Sequence, residues 1–135
     1  MEWVEPAEMC AMLRRHFEAL GSDAVGTSEV YAEDAVLEFA HSGERIRGRA
    51  NIDAARRAYP GRPPSFEVHR AVCVGDLAVV EMTLRFAGVD PHRVVAILDL
   101  REDEVIAERR YIAEPGEPAA YRAQWVEIAA PQQGE

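Results

Sequence analysis

At 135 residues, with 48% hydrophobic and 29% charged side chains, the chain fits one globular domain able to bury a core without disulfides or metal. A formal net charge of -9 excludes the basic footprint that nucleic acid or an anionic membrane surface requires. All 15 basic residues are arginine, so lysine Schiff-base chemistry and a phosphate-loop lysine are excluded too.

Met9, Met12, Leu13, Phe17 and Leu20 recur at helical spacing after Glu5-Pro6, with Gly21 as a stop. Thr27 or Ser28 caps a second, short helix expected to end near Tyr31. Val36, Leu37 and Phe39 then read as a short strand, Ser42-Gly43 as a turn, and Gly48 as the break before a helix over Asn51 to Tyr59. Pro60-Gly61 and Pro63-Pro64 close that helix. Four longer strands follow, Ser65 to Val74, Leu77 to Phe86, His92 to Leu100 and Val105 to Ala113, separated by turns short enough for an antiparallel meander. A helical piece from Ala119 to Ile128 carries Trp125, residues 1–130 make a single domain, and 131–135 form a polar tail.

Cys10 and Cys73 lack paired spacing and read as small buried hydrophobes in a reducing compartment. With neither a signal-peptide pattern nor a long apolar run, the expectation is a cytoplasmic protein. The scattered histidines match no metal motif, and neither a serine-nucleophile elbow nor a glycine-rich phosphate loop is present.

Helices followed by a curled sheet imply an α+β domain with the helices on one sheet face. Strand parity identifies that face. Ala78, Val80, Met82, Leu84 and Phe86 alternate with Glu81, Thr83 and Arg85, and Val94, Ala96, Leu98 and Leu100 alternate with Arg93, Asp99 and Arg101.

The segments YAEDAVLEF, SGERIRGRANI, GDLAVVEMTLRF and VIAERRYIAEP, in that order, resemble the nuclear transport factor 2-like superfamily, in its SnoaL-like polyketide cyclase branch. The resemblance implies a cone-shaped, curved antiparallel or mixed sheet with about three helices on its concave face. It further implies an open-ended pocket for a small hydrophobic molecule and a homodimer through the sheet. Members of the superfamily include cyclases, isomerases, epoxide hydrolases, dehydratases and non-catalytic binders, so the fold does not settle function. Against the ketosteroid isomerases the resemblance implies a missing apparatus. Phe39 stands at the place of their carboxylate base, His16 at that of their oxyanion-hole tyrosine, and Ala96 at that of their protonated aspartic acid.

The last strand offers another candidate. Ile106, Glu108, Arg110 and Ile112 share one face, and Val105, Ala107, Arg109 and Tyr111 the other. In the register the resemblance implies, Glu108 and Arg110 enter the pocket, where burial disfavours a charged carboxylate and a neighbouring guanidinium favours it. Apolar content alone favours the opposite register, with those charges in solvent. The expected site is therefore Glu108 as acid/base, assisted by His16 and Arg110, without cofactor or metal. Its expected walls are Phe39, Tyr59, Met82, Leu84, Leu98, Ile112 and Trp125, with His41 at the rim. Glu38 is expected to face away from Phe39, towards Arg45 or Arg47. Two functions remain open: a cyclase-, isomerase- or hydrolase-type enzyme, or a non-catalytic binding or dimerisation module.

Overall fold

A computed structural model describes residues 6–21 and 28–129. Helix α1 spans Pro6–Ala19, followed by strands β1 (Tyr31–Phe39) and β2 (Glu44–Arg47) and helix α2 (Arg49–Arg57). Strands β3 (Ser65–Val74), β4 (Leu77–Arg85), β5 (His92–Arg101) and β6 (Glu104–Ala113) complete one six-stranded sheet, in the order β2-β1-β6-β5-β4-β3. Only the β1–β6 pairing is parallel, so the sheet is mixed. It unites the first strand of the chain with the last.

The meander agrees with the turn reading within a residue at each strand end. The second helix does not: Ser28 to Val30 form a turn, and Tyr31 opens β1. The other proposed cap, Thr27, lies outside the described residues, as does the tail 131–135. The difference at Tyr31 has a physical cause. A register shift between Tyr31 and Val36 breaks the alternation that would have marked a strand, leaving Glu33 and Asp34 exposed together.

Met9, Leu13 and Phe17 of helix α1, with Leu20 just after it, share one buried core with the inward sheet residues Val80, Met82, Ala96 and Leu98. The last turn of α1 passes so close to β3 that a Cβ on Gly21 would stand 2.9 Å from the Ser65 backbone, which is why glycine follows the helix there. Gly48, at φ 92°, turns the chain from β2 into α2.

Cys10 and Cys73 are joined by a disulfide with Cα atoms 6.0 Å apart, correcting the reading of two unpaired thiols. Spacing concealed the pair because their separation of 63 residues is closed by docking α1 on β3. The argument from the cysteines to a reducing compartment falls with it. Among the described residues, no helix is long and apolar enough to cross a membrane.

The C-terminal piece also departs from expectation. Ala120–Trp125 is a 3-10 turn rather than a longer helix, and Trp125 is 75% exposed.

Candidate active site

The β1–β6 ladder sets Leu37 opposite Glu108 and Glu38 opposite Arg109. Since neighbours in register point to the same face, Glu108 turns inward with Leu37, and Glu38 turns outward. Glu108 is fully buried, at 0% exposure. Arg110, two residues on, shares its face and is 11% exposed.

Both Glu108 oxygens have partners. Tyr31 donates its hydroxyl to Oε1, and Arg110 donates Nε–H to Oε2 at 2.5 Å. Arg110 Nη2 also reaches the Tyr31 hydroxyl at 3.4 Å. The guanidinium lies over the rings of Phe66, Phe17 and Phe39, at 5.4, 5.7 and 5.9 Å from their centroids, so its apolar surroundings are partly compensated by cation–π attraction. His16, buried on the α1 stripe, places its ring edge-on to Tyr31 at 5.3 Å.

Burial, reinforced by the Glu108 charge, holds the Tyr31 hydroxyl well above its ordinary pKa, so Tyr31 remains a donor through the physiological range. For Arg110, burial opposes the charge, but the Glu108 carboxylate and Tyr31 outweigh it and hold the pKa above its ordinary value. Arg110 is a permanent cation.

Tyr31 and Arg110 form part of the wall of a cavity of about 390 Å³. Leu37, Phe39, Ile46, Phe66, Leu84 and Ile112 are among its apolar lining residues, and Ile52, Ala55 and Arg56 of α2, with Tyr59 just beyond it, line it as well. That volume is near the small end of the roughly 300–1,000 Å³ usual for small-molecule sites.

Of the residues expected from sequence, Phe39, Tyr59, Leu84, Ile112, His41 and Arg110 line this cavity. Glu108 stands behind it, reached through Tyr31 and Arg110, and His16 lies behind Tyr31. Met82 and Leu98 are not on the wall but inside the core, with exposures of 1% and 0%. Trp125 is not there either, since its 3-10 turn leaves the ring in solvent. His69 binds the buried Thr83 hydroxyl at 2.6 Å on the outer sheet face, a partner invisible in the sequence.

Sequence reasoning missed Arg56 and the role of Tyr31 as the partner of Glu108. The signal for Arg56 was present: Ile52, Ala55, Arg56 and Tyr59 are spaced as one helix face. For Tyr31 the bulge removed it. Among the described residues, no cluster of three or more histidine, cysteine or acidic side chains could hold a metal ion.

A curved mixed sheet enclosing an apolar cavity against helices defines a nuclear transport factor 2-like fold. A SnoaL-like domain model matches residues 13–109, and the chain belongs to that family. It is similar, at 32% identity, to an NTF-2 like protein of unknown function from Burkholderia xenovorans LB400, with a TM-score of 0.78 over 93% of this chain and 98% of that one. A Kribbella flavida protein provisionally named a ketosteroid isomerase is 26% identical, with a TM-score of 0.83 over 96% and 97% of the two chains. An epoxide hydrolase of the LEH-like type from M. tuberculosis shares the fold at 22% identity, with a TM-score of 0.68 over 81% and 85%. No curated protein matches the sequence.

Proposed function

We propose that the protein is a cofactor-independent enzyme of the cyclase, isomerase or hydrolase type, using Tyr31, Glu108 and Arg110 for acid/base chemistry on a small, largely apolar molecule. One observation carries this reading. A fully buried glutamate is joined to an apolar cavity only through a tyrosine hydroxyl and an arginine that both face that cavity.

The arrangement suits a relay. A proton leaving the substrate passes to the Tyr31 oxygen as the Tyr31 proton passes to Glu108 Oε1. Glu108 becomes a neutral acid, and the negative charge it loses appears on the substrate oxygen. Arg110 then has one anion beside it before and after the step, so no unbalanced charge is created in the apolar interior. Return of the proton to a different substrate atom gives isomerisation; in ring closure the substrate carbanion first bonds to a second carbonyl carbon, whose C=O π bond opens, and the proton returns to the alkoxide so formed. If the proton comes instead from water, the water oxygen bonds to an epoxide carbon as its C–O bond breaks, and the proton held on Glu108 returns through Tyr31 to the released alkoxide, giving a diol. Packing by His16 fixes the plane of Tyr31 and keeps its hydroxyl directed at Glu108.

Incubation with 2-tetralone in deuterium oxide, followed by proton NMR, tests proton abstraction, and styrene oxide tests water attack. Enzyme-dependent exchange beside the carbonyl, or diol formation, is expected in the wild type and should disappear in Glu108→Gln and Tyr31→Phe. Survival of either activity in Glu108→Gln would overturn the assignment.

The complete pairing of Glu108 favours one alternative, a non-catalytic binding module in which the Glu–Arg pair only shapes the wall. Binding of 2-tetralone with neither exchange nor diol formation would select it. We also propose a homodimer through the outer sheet face, where Val72, Val74, Leu77 and Tyr111 are exposed. Light scattering after gel filtration reads the mass, and a monomer at micromolar concentration would refute it.

A further inference from the structure

The cavity wall holds a second arginine that the relay does not use. Arg56 lies in the stripe of α2 that lines the cavity, and its side chain is only 20% exposed. Its Nη2 donates to Asp53 Oδ1 at 3.2 Å. Its Nε is buried and has no hydrogen-bond partner among the described residues. A buried N–H of a charged group without an acceptor is costly, and proteins leave few of them.

The surrounding charges show what kind of acceptor fits. Asp53 is shared: Arg57 Nε donates to its Oδ2 at 2.6 Å and Ser28 Oγ to its Oδ1 at 3.1 Å. One carboxylate therefore faces two guanidinium groups, leaving an excess positive charge on this end of the helix. Glu44, the acidic residue on the cavity wall, is exposed and bound to the Ser42 hydroxyl at 2.6 Å. At Arg110 the balance differs. Arg110 is matched by Glu108 charge for charge, so a further anion there would stand unbalanced in apolar surroundings, whereas a neutral carbonyl can accept a hydrogen bond.

Resting on the reading of the cavity as a small-molecule site, we infer that Arg56 is a ligand-binding residue and that the substrate is an apolar molecule with oxygen acceptors at two ends. A neutral carbonyl or ether oxygen lies towards Tyr31 and Arg110, and a carboxylate or comparable anion lies against Arg56. Charge-assisted bonds of this kind are among the strongest available to a ligand. Arg56 thereby sets specificity for acidic over neutral substrates of the same shape.

Two probes of one shape test this inference: 6-acetyl-2-naphthoate, with a ketone and a carboxylate at opposite ends, and 2-acetylnaphthalene, which lacks the carboxylate. Isothermal titration should show the acid binding at least about tenfold more tightly to the wild type. The preference should vanish in Arg56→Met and Arg56→Gln and persist in Arg57→Met, which alters the same charge cluster outside the cavity wall. Thermal melts of all variants establish that they are folded, and Arg56→Gln serves if Arg56→Met is not. Equal affinities for the two probes in the wild type, or a preference retained in a folded Arg56 variant, would overturn the role of Arg56 while leaving the cavity reading intact. If neither probe binds the wild type, the cavity reading fails and this inference fails with it.

Discussion

Two glutamate–arginine pairs lie on opposite faces of the same sheet, one within β6 and one across β1 and β2. Glu108–Arg110 faces inward, with side chains 0% and 11% exposed, while Glu38–Arg45 faces outward, at 25% and 59%. Their N···O distances are similar, 2.5 and 2.9 Å. Burial makes the difference. Outside, water screens each charge and the pair contributes little. Inside, each charge depends on the other, and removing one partner exposes the full desolvation cost of what remains. The inner pair is thus strongly coupled to its surroundings, and the outer pair is not.

The contrast can be broken by deleting one carboxylate at a time. Glu108→Ala should lower unfolding stability by about 3–5 kcal/mol, because Arg110 is left as an unpaired cation among phenylalanines. Glu38→Ala should lower it by no more than about 1 kcal/mol. Guanidinium titrations of the two variants read the difference directly. Comparable losses would mean that burial does not distinguish the pairs.

The cystine provides a second way to sharpen it, since it ties down the helix that covers the inner pair. Reduction, or Cys10→Ser, should cost about 2–4 kcal/mol for a crosslink closing a loop of this length. Tyr31→Phe removes one hydrogen bond to the buried carboxylate and should cost about 1.5–3 kcal/mol. Because the folded-state pKa of Tyr31 is raised, its contribution is fully present below the unfolded value near 10 and is lost as pH rises further. Alkaline unfolding followed by circular dichroism should accordingly be less steep in Tyr31→Phe.

Beside Arg56, Asp53 is intermediate between the two pairs, and the smallest change is expected there. The hydrogen bond from Arg57 is the main cause of its lowered pKa, assisted by Ser28 and Arg56 against partial burial. A depressed carboxylate stabilises the fold above its unfolded pKa, near 4, and the contribution fades as pH falls through the lower folded value. With the side chain 29% exposed, the effect should stay within about 1 kcal/mol. Acid melts of Asp53→Asn against the wild type would register it as a shallower loss of stability below pH 4.

The inner and outer sheet faces could be assigned from alternation in β4 and β5, because a meander with short turns preserves parity. The site was legible only in part. Glu108 and Arg110 fall on the same face by spacing alone, but whether that face points inward is a matter of register against β1, a strand more than sixty residues earlier. The bulge between Tyr31 and Val36 conceals that register. Met82 and Leu98 carry the same pattern as Leu84, and only tertiary packing separates core from cavity wall.

The sequence by itself determined the fold class, the order of strands and the chemical stock of the pocket: no lysine, scattered histidines and one glutamate–arginine repeat on the last strand. These follow from local periodicity and composition, which act over a few residues. The parallel pairing of β1 with β6, the meeting of Tyr31 with Glu108, the Cys10–Cys73 bond and an Arg56 Nε without a partner among the described residues were decided by tertiary structure. Each depends on groups far apart in the chain, or on what packs over one helix face, and no local pattern encodes which of them will meet.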